Sequence, residues 1–153
     1  MATDGARRVD RAPGGQANLS WNDLALNPRV ILGYYSTPPD LEAVEVHSIV
    51  LGRDGPTLEM VVELPRFPDR PSPRWDRGAN AAQARFRFLG EFRDLVIEGW
   101  GTSNVGLLAI TPVAGGVRFE FRGGSATCIG AGQFFDVVGV TGYCRAKPGP
   151  APL

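Results

Sequence analysis

The feature that most limits what this chain can fold into is an alternation of side chains, repeated in short runs between glycine and proline turns. Leu58, Met60, Val62 and Leu64 alternate with Glu59, Val61 and Glu63. Val117, Phe119 and Phe121 alternate with Arg118, Glu120 and Arg122. A period of two sends each set to one face of a strand, so these runs describe a sheet with one buried face. The turn Gly52-Arg53-Asp54-Gly55-Pro56 joins Ile49 and Leu51 to the first run as a hairpin. A second hairpin is read from residues 84–88 and 95–98. Further strands are expected at 105–111, 117–122, about 125–130 and 137–143, with Gly115-Gly116 and Gly123-Gly124 at the turns between them.

The start of the chain follows another pattern. Ser20 precedes Trp21-Asn22-Asp23 as an N-cap with a capping-box acid. Trp21, Leu24, Val30, Ile31 and Tyr34 have helical spacing that Pro28 interrupts. One short helix is therefore expected before Asn27 and a second from Pro28, ending by the Thr37-Pro38-Pro39-Asp40 segment. The prolines of the 65–80 segment exclude a strand interior there. The fold expected is mainly β, in the α+β sense: a short N-terminal helical segment, then about eight antiparallel strands in a sandwich or open barrel. At 153 residues the chain fits one domain, placed at 20–146, with polar, flexible tails at 1–19 and 147–153.

Composition narrows the function classes. Sixteen basic and sixteen acidic residues cancel, which gives no global electrostatic case for nucleic acid or an anionic membrane as partner. No apolar leader or spanning run is visible, so a cytoplasmic location is expected. Cys128 and Cys144 lack metal-ligand spacing and read as buried or partly buried thiols rather than a disulfide.

Chemistry is hard to place. The single histidine, His47, sits in a strand-like run and reads as a structural or surface residue, and no serine lies in a nucleophile-elbow motif. Glu59 and Glu63 share a strand face but stand about 13 Å apart by the rise per residue, too far for a glycosidase pair. Arg85 and Arg87 alternate with Phe86 and Phe88, which puts the two phenylalanines toward a core. No catalytic residue, cofactor or metal is therefore assigned, and no enzyme activity is expected.

Several spaced motifs, in order, resemble the Imm50 family of immunity proteins. They are Trp21-Asn22-Asp23-Leu24 with Asn27-Pro28, then Pro39-Asp40-Leu41-Glu42 leading to Val46-His47. Arg53-Asp54-Gly55-Pro56-Thr57-Leu58 follows, then the run from Leu64 to Trp75, and Leu95-Val96-Ile97-Glu98-Gly99-Trp100 with Thr102-Ser103-Asn104. The resemblance covers residues 20–110. It implies an antidote that binds and neutralises a cognate bacterial polymorphic toxin, a protein partner, by stoichiometric contact.

Two faces are candidates for that contact. Residues 21–64 hold seven acids and two arginines, a balance of −5, and contribute the acidic set Asp40, Glu42, Glu45, Asp54, Glu59 and Glu63. That set is either a row of solvated strand positions or a docking face that steers a basic partner. The proline-fixed loop at 65–77 either presents Phe67, Arg70, Arg74 and Trp75 to the partner or uses its aromatics to cover one end of the core. Trp100 reads as core. The rival readings are a β-sandwich module for a sugar or lipid, with Trp75 and Trp100 as stacking platforms, or a cryptic enzyme.

Overall fold

The structure, a computed structural model, describes residues 20–146, so the two expected tails lie outside the described residues. It starts with the expected capped turn. The Ser20 hydroxyl accepts from the Asn22 N–H at 3.3 Å and the Asp23 carboxylate accepts from the Ser20 N–H at 3.0 Å, opening a 3-10 turn over Trp21–Leu24. A single helical turn, α1 (Arg29–Leu32), follows Pro28. Pieces this short have no stability of their own in water and must be held by tertiary contacts. Trp21 supplies one such contact: its ring lies 5.3 Å from Phe86 and 6.3 Å from Phe135, and its indole N–H donates to the Pro39 carbonyl at 2.8 Å. Ile31 and Tyr35, fully buried, supply others.

Eight strands follow: β1 (Val44–Gly52), β2 (Thr57–Glu63), β3 (Ala81–Leu89), β4 (Arg93–Glu98), β5 (Val105–Val113), β6 (Gly116–Gly123), β7 (Ala126–Gly132) and β8 (Phe134–Tyr143). They form one open antiparallel sheet in the order β4-β7-β6-β5-β1-β2-β3-β8. The sheet has two four-stranded halves joined only where Val44 and Glu45 of β1 face Gly106 and Val105 of β5. Beyond that junction β1 and β5 part.

The registers bring the alternating apolar residues onto one face. Met60 faces Phe86 and Leu58 faces Phe88 in one half, while Ile110 faces Phe119 and Leu108 faces Phe121 in the other. The halves close on each other through these faces, with the Phe88 and Phe119 rings 4.3 Å apart and Phe88 stacked on Phe135 at 5.0 Å. Each fully buried side chain of this size contributes about 1.5–3 kcal/mol by removal from water.

The expected second hairpin does not form. β3 is flanked by β2 and β8, whereas β4 pairs with β7. Between β3 and β4, Phe92 turns edge-on to Phe119 at 6.2 Å, so the chain crosses there from one half to the other. Alternation shows which face a strand buries, not which neighbour completes it. The thiols also depart from expectation in part. Both are free; Cys128 is buried and its thiol is pushed up to about 11 by desolvation, but Cys144, just past the end of β8, is exposed.

No strand crosses the proline-rich segment, and its aromatics turn inward. Trp75 stacks on Tyr34 at 5.2 Å, meets Phe67 edge-on at 6.1 Å, and covers Gly142 of β8 so closely that a Cβ there would overlap the indole. Arg66 lies 5.0 Å over the Tyr35 ring and donates to the Thr37 carbonyl at 2.7 Å. Tyr35 returns a hydroxyl hydrogen bond to the Arg66 carbonyl at 2.7 Å.

Candidate partner-binding surface

The outward faces of β1, β2 and β3 bring together Glu45, His47, Glu59, Glu63, Arg85 and Arg87, and cross-strand register decides what each one meets. Glu59 faces Arg87, whose Nη2 lies 2.7 Å from its carboxylate, and Arg85 approaches at 3.8 Å. Glu45 and Glu63 stand directly opposite each other, two like charges that repel at that spacing. His47, at the β-bulge between Val46 and Ser48 and on the same face as Glu45, lies beside both, with Nε2 3.9 Å from Glu45 and 3.6 Å from Glu63. Arg145 pairs with Glu63 and lies 3.5 Å from Glu45, and the Tyr143 hydroxyl donates to Glu63. Burial and the Glu63 carboxylate together raise the Tyr143 phenol well above its ordinary value.

The six predicted acids therefore do not form one open row. Glu45, Glu59 and Glu63 share the sheet face and have internal partners. Asp54 lies in the β1–β2 turn, 3.6 Å from Arg53, and the Asp40 carboxylate accepts from the Glu42 N–H at 3.0 Å in the loop before β1. The four loop residues divide as well. Phe67 and Trp75 cover the core. Arg70 donates to the Leu32 carbonyl at 2.6 Å, the Gly33 carbonyl at 3.4 Å and the Ser36 hydroxyl at 3.1 Å, satisfying carbonyls at the end of α1. Arg74 is exposed. Glu45, His47 and Glu63 are also the one group of metal-ligating side chains drawn together among the described residues.

A third surface was not foreseen from the sequence. Past Val46, β1 has β2 on one side and the β4–β5 loop on the other, and the space between holds a groove of about 300 Å³ lined by Ile49, Leu51, Ile97 and Trp100 next to His47 and Ser48. Leu51 is 55% exposed and Trp100 45%, so the strand-core role expected of Trp100 does not hold. The loop beneath Trp100 is firmly built. Gly99 takes a φ of 68°, where its carbonyl accepts from the Ser125 hydroxyl at 2.8 Å. Buried Asn104 closes the loop with two hydrogen bonds to the Gly101 backbone, at 3.0 and 2.9 Å, and its own carbonyl accepts from the Val46 N–H at 2.9 Å. The available signal in the sequence was Val50-Leu51 at the hairpin end, two adjacent apolar residues of which only one can face a core.

The structure is thus a one-sheet β domain with a paired-charge face and an open apolar groove on a rigid rim. Its family is defined by its sequence: the model of Immunity protein 50, Imm50, matches residues 27–143, and the chain belongs to that family. No curated protein and no solved structure matches the chain. Among the described residues no helix is long and apolar enough to cross a membrane.

Proposed function

We propose that this protein neutralises a cognate toxin by stoichiometric binding, without chemistry of its own, and that the groove between β1 and the β4–β5 loop is the anchor site of the complex. Membership of the immunity family supports the first part. The observation that carries the second is Trp100, a large aromatic held half-exposed on a loop whose backbone is fixed by Asn104 and Ser125. Binding energy at interfaces concentrates in such residues, and a preformed loop avoids the cost of ordering it on association.

The two surfaces expected from the sequence support the role less well. A partner docking on Glu59 or Glu63 would have to replace arginines already paired with them, which costs desolvation on both sides. Arg70 and Trp75 spend their contacts inside the molecule. The reading as a sugar- or lipid-binding module loses one of its two stacking platforms, because the Trp75 ring is already covered by Tyr34.

Co-expression with its cognate toxin domain tests the proposal. The parent should restore growth and co-purify at fixed stoichiometry, and Trp100→Ala should weaken both without loss of fold. Growth rescue with no complex at any concentration would refute the binding mechanism.

A further inference from the structure

Beside the groove, the opposed Glu45 and Glu63 present a charge problem that their neighbours solve only in part. Both are shielded from solvent, with side-chain exposures of 21% and 13%, and one guanidinium, Arg145, serves both. Two carboxylates thus share a single guanidinium. Two residues along the strand from Glu45, His47 projects from the same face and adds an imidazole nitrogen to the same spot. Gln83, on β3, lies with Oε1 3.3 Å from His47 Nδ1. With the proton on Nδ1, that contact leaves the Nε2 lone pair facing Glu45 and Glu63.

We propose that Glu45, His47 and Glu63 form a divalent-metal site of the zinc type, in which the ion and the Arg145 guanidinium compete for the same carboxylates. The three ligand atoms lie within 4.8 Å of one another, with the imidazole nitrogen 3.9 and 3.6 Å from the two oxygens. Ligands about 2.1 Å from a tetrahedral zinc stand about 3.4 Å apart, so only a small inward rotation of two partly exposed glutamate arms is needed. One nitrogen and two oxygens suit zinc better than calcium or magnesium, which take oxygen ligands. Three protein ligands leave a fourth position for water or for a side chain of a bound partner. The outer contacts have the usual form: Gln83 orients the imidazole, and the Tyr143 hydroxyl donates to the Glu63 carboxylate. A double positive charge also balances both glutamates, which Arg145 alone does not.

The test is calorimetric titration of the metal-free protein with zinc chloride, in a Cys144→Ser background that removes the exposed thiol as a rival ligand. One ion per chain is expected, with a zinc-dependent rise in melting temperature and no response to calcium. His47→Ala and Glu63→Gln should each abolish both signals, Gln83→Ala should weaken binding about tenfold, and Arg145→Ala should strengthen it. Melting of each variant in chelator confirms its fold, and His47→Ala serves as the mild variant, since the ring lies at the surface. No heat and no melting shift in the parent would overturn the proposal. So would zinc binding that survives His47→Ala and Glu63→Gln together.

Discussion

The two open sides of the first half of the sheet are treated in opposite ways. On the β8 side the chain covers its own edge. Ala25 bridges to Phe135, the Leu26 N–H donates to the Phe135 carbonyl at 2.9 Å, the Asn27 N–H donates to Asp136 at 3.0 Å, and Trp75 lies over Gly142. On the β1 side, past Val46, none of the described residues is laid down in a comparable way, and Val50 and Leu51 are exposed among them. A third edge, β4, is guarded by yet another device: a register shift between Arg93 and Val96, with Asp94 at a positive φ of 55° and charges along the strand. Unpaired apolar strand edges invite association, and proteins normally blunt them. The two guarded edges make the unguarded one informative, and its position beside Trp100 is why the binding role is placed there.

Trp75→Ala should have the largest effect, because it uncovers the guarded side. The ring is partly buried against Tyr34, Phe67 and β8, so a loss of about 2–4 kcal/mol in urea unfolding is expected. A loss under about 0.5 kcal/mol would mean that the loop rests on β8 without holding it. Trp100→Ala is the mirror experiment. Stability should stay within about 0.5 kcal/mol of the parent, while toxin dissociation speeds enough to cost about 2 kcal/mol of affinity. A variant that binds normally would return the β1 side to an unexplained exposed edge.

The arginines of the loop sharpen the same contrast at lower energy. Arg70→Ala should destabilise by about 1–2 kcal/mol, since it strips carbonyls of α1 of a charged donor, whereas Arg74→Ala should be silent in the same unfolding assay. Equal effects would contradict the division between an inward and an outward arginine. The smallest effect lies away from both edges, on β6. Hydrogen bonds from Arg118 and then Arg122 hold the Glu120 carboxyl below its ordinary value of 4.5. A depressed folded value means the stabilisation is present above that ordinary value and fades as pH falls through the lower, folded one. Unfolding compared at pH 5.5 and pH 3 should lose about 0.5 kcal/mol or less from this group, and Glu120→Gln should remove that increment.

Alternating positions such as Leu58–Met60–Val62 and Phe86–Phe88 named their strands and their buried face correctly, because a period of two leaves little choice. Ser20 and Asp23 marked the first turn for an equally local reason. What the pattern did not contain was pairing. β4 was assigned to the wrong partner because the choice between β3 and β7 depends on contacts such as Phe92 on Phe119. The same blindness hid the candidate sites. Glu45 and His47 are two residues apart in sequence, yet Glu63 joins them only through the register of β1 on β2. For Trp75 the sequence left open a cover for the core or a partner contact, and the structure gives the cover; Trp100 at a strand end looks internal, yet it stands half-exposed.

The position of β8 in the sheet has a consequence for how the molecule is made. Strands β4 to β7 are all built from residues between Arg93 and Gly132, and only afterwards does the chain return to lay β8 along β3, with Phe134 against Leu89 and Tyr143 against Ala81. Synthesis from the N-terminus therefore leaves β3 with a bare flank, and Phe86 and Phe88 without Phe135, until the last described strand has emerged. Closing so long a loop is the slow part of building such a sheet, and the half-made form is the one most exposed to wrong pairings. A nascent chain stalled before Phe134 would present β3 to any extended segment in reach, so the vulnerable interval lasts until β8 itself has been made.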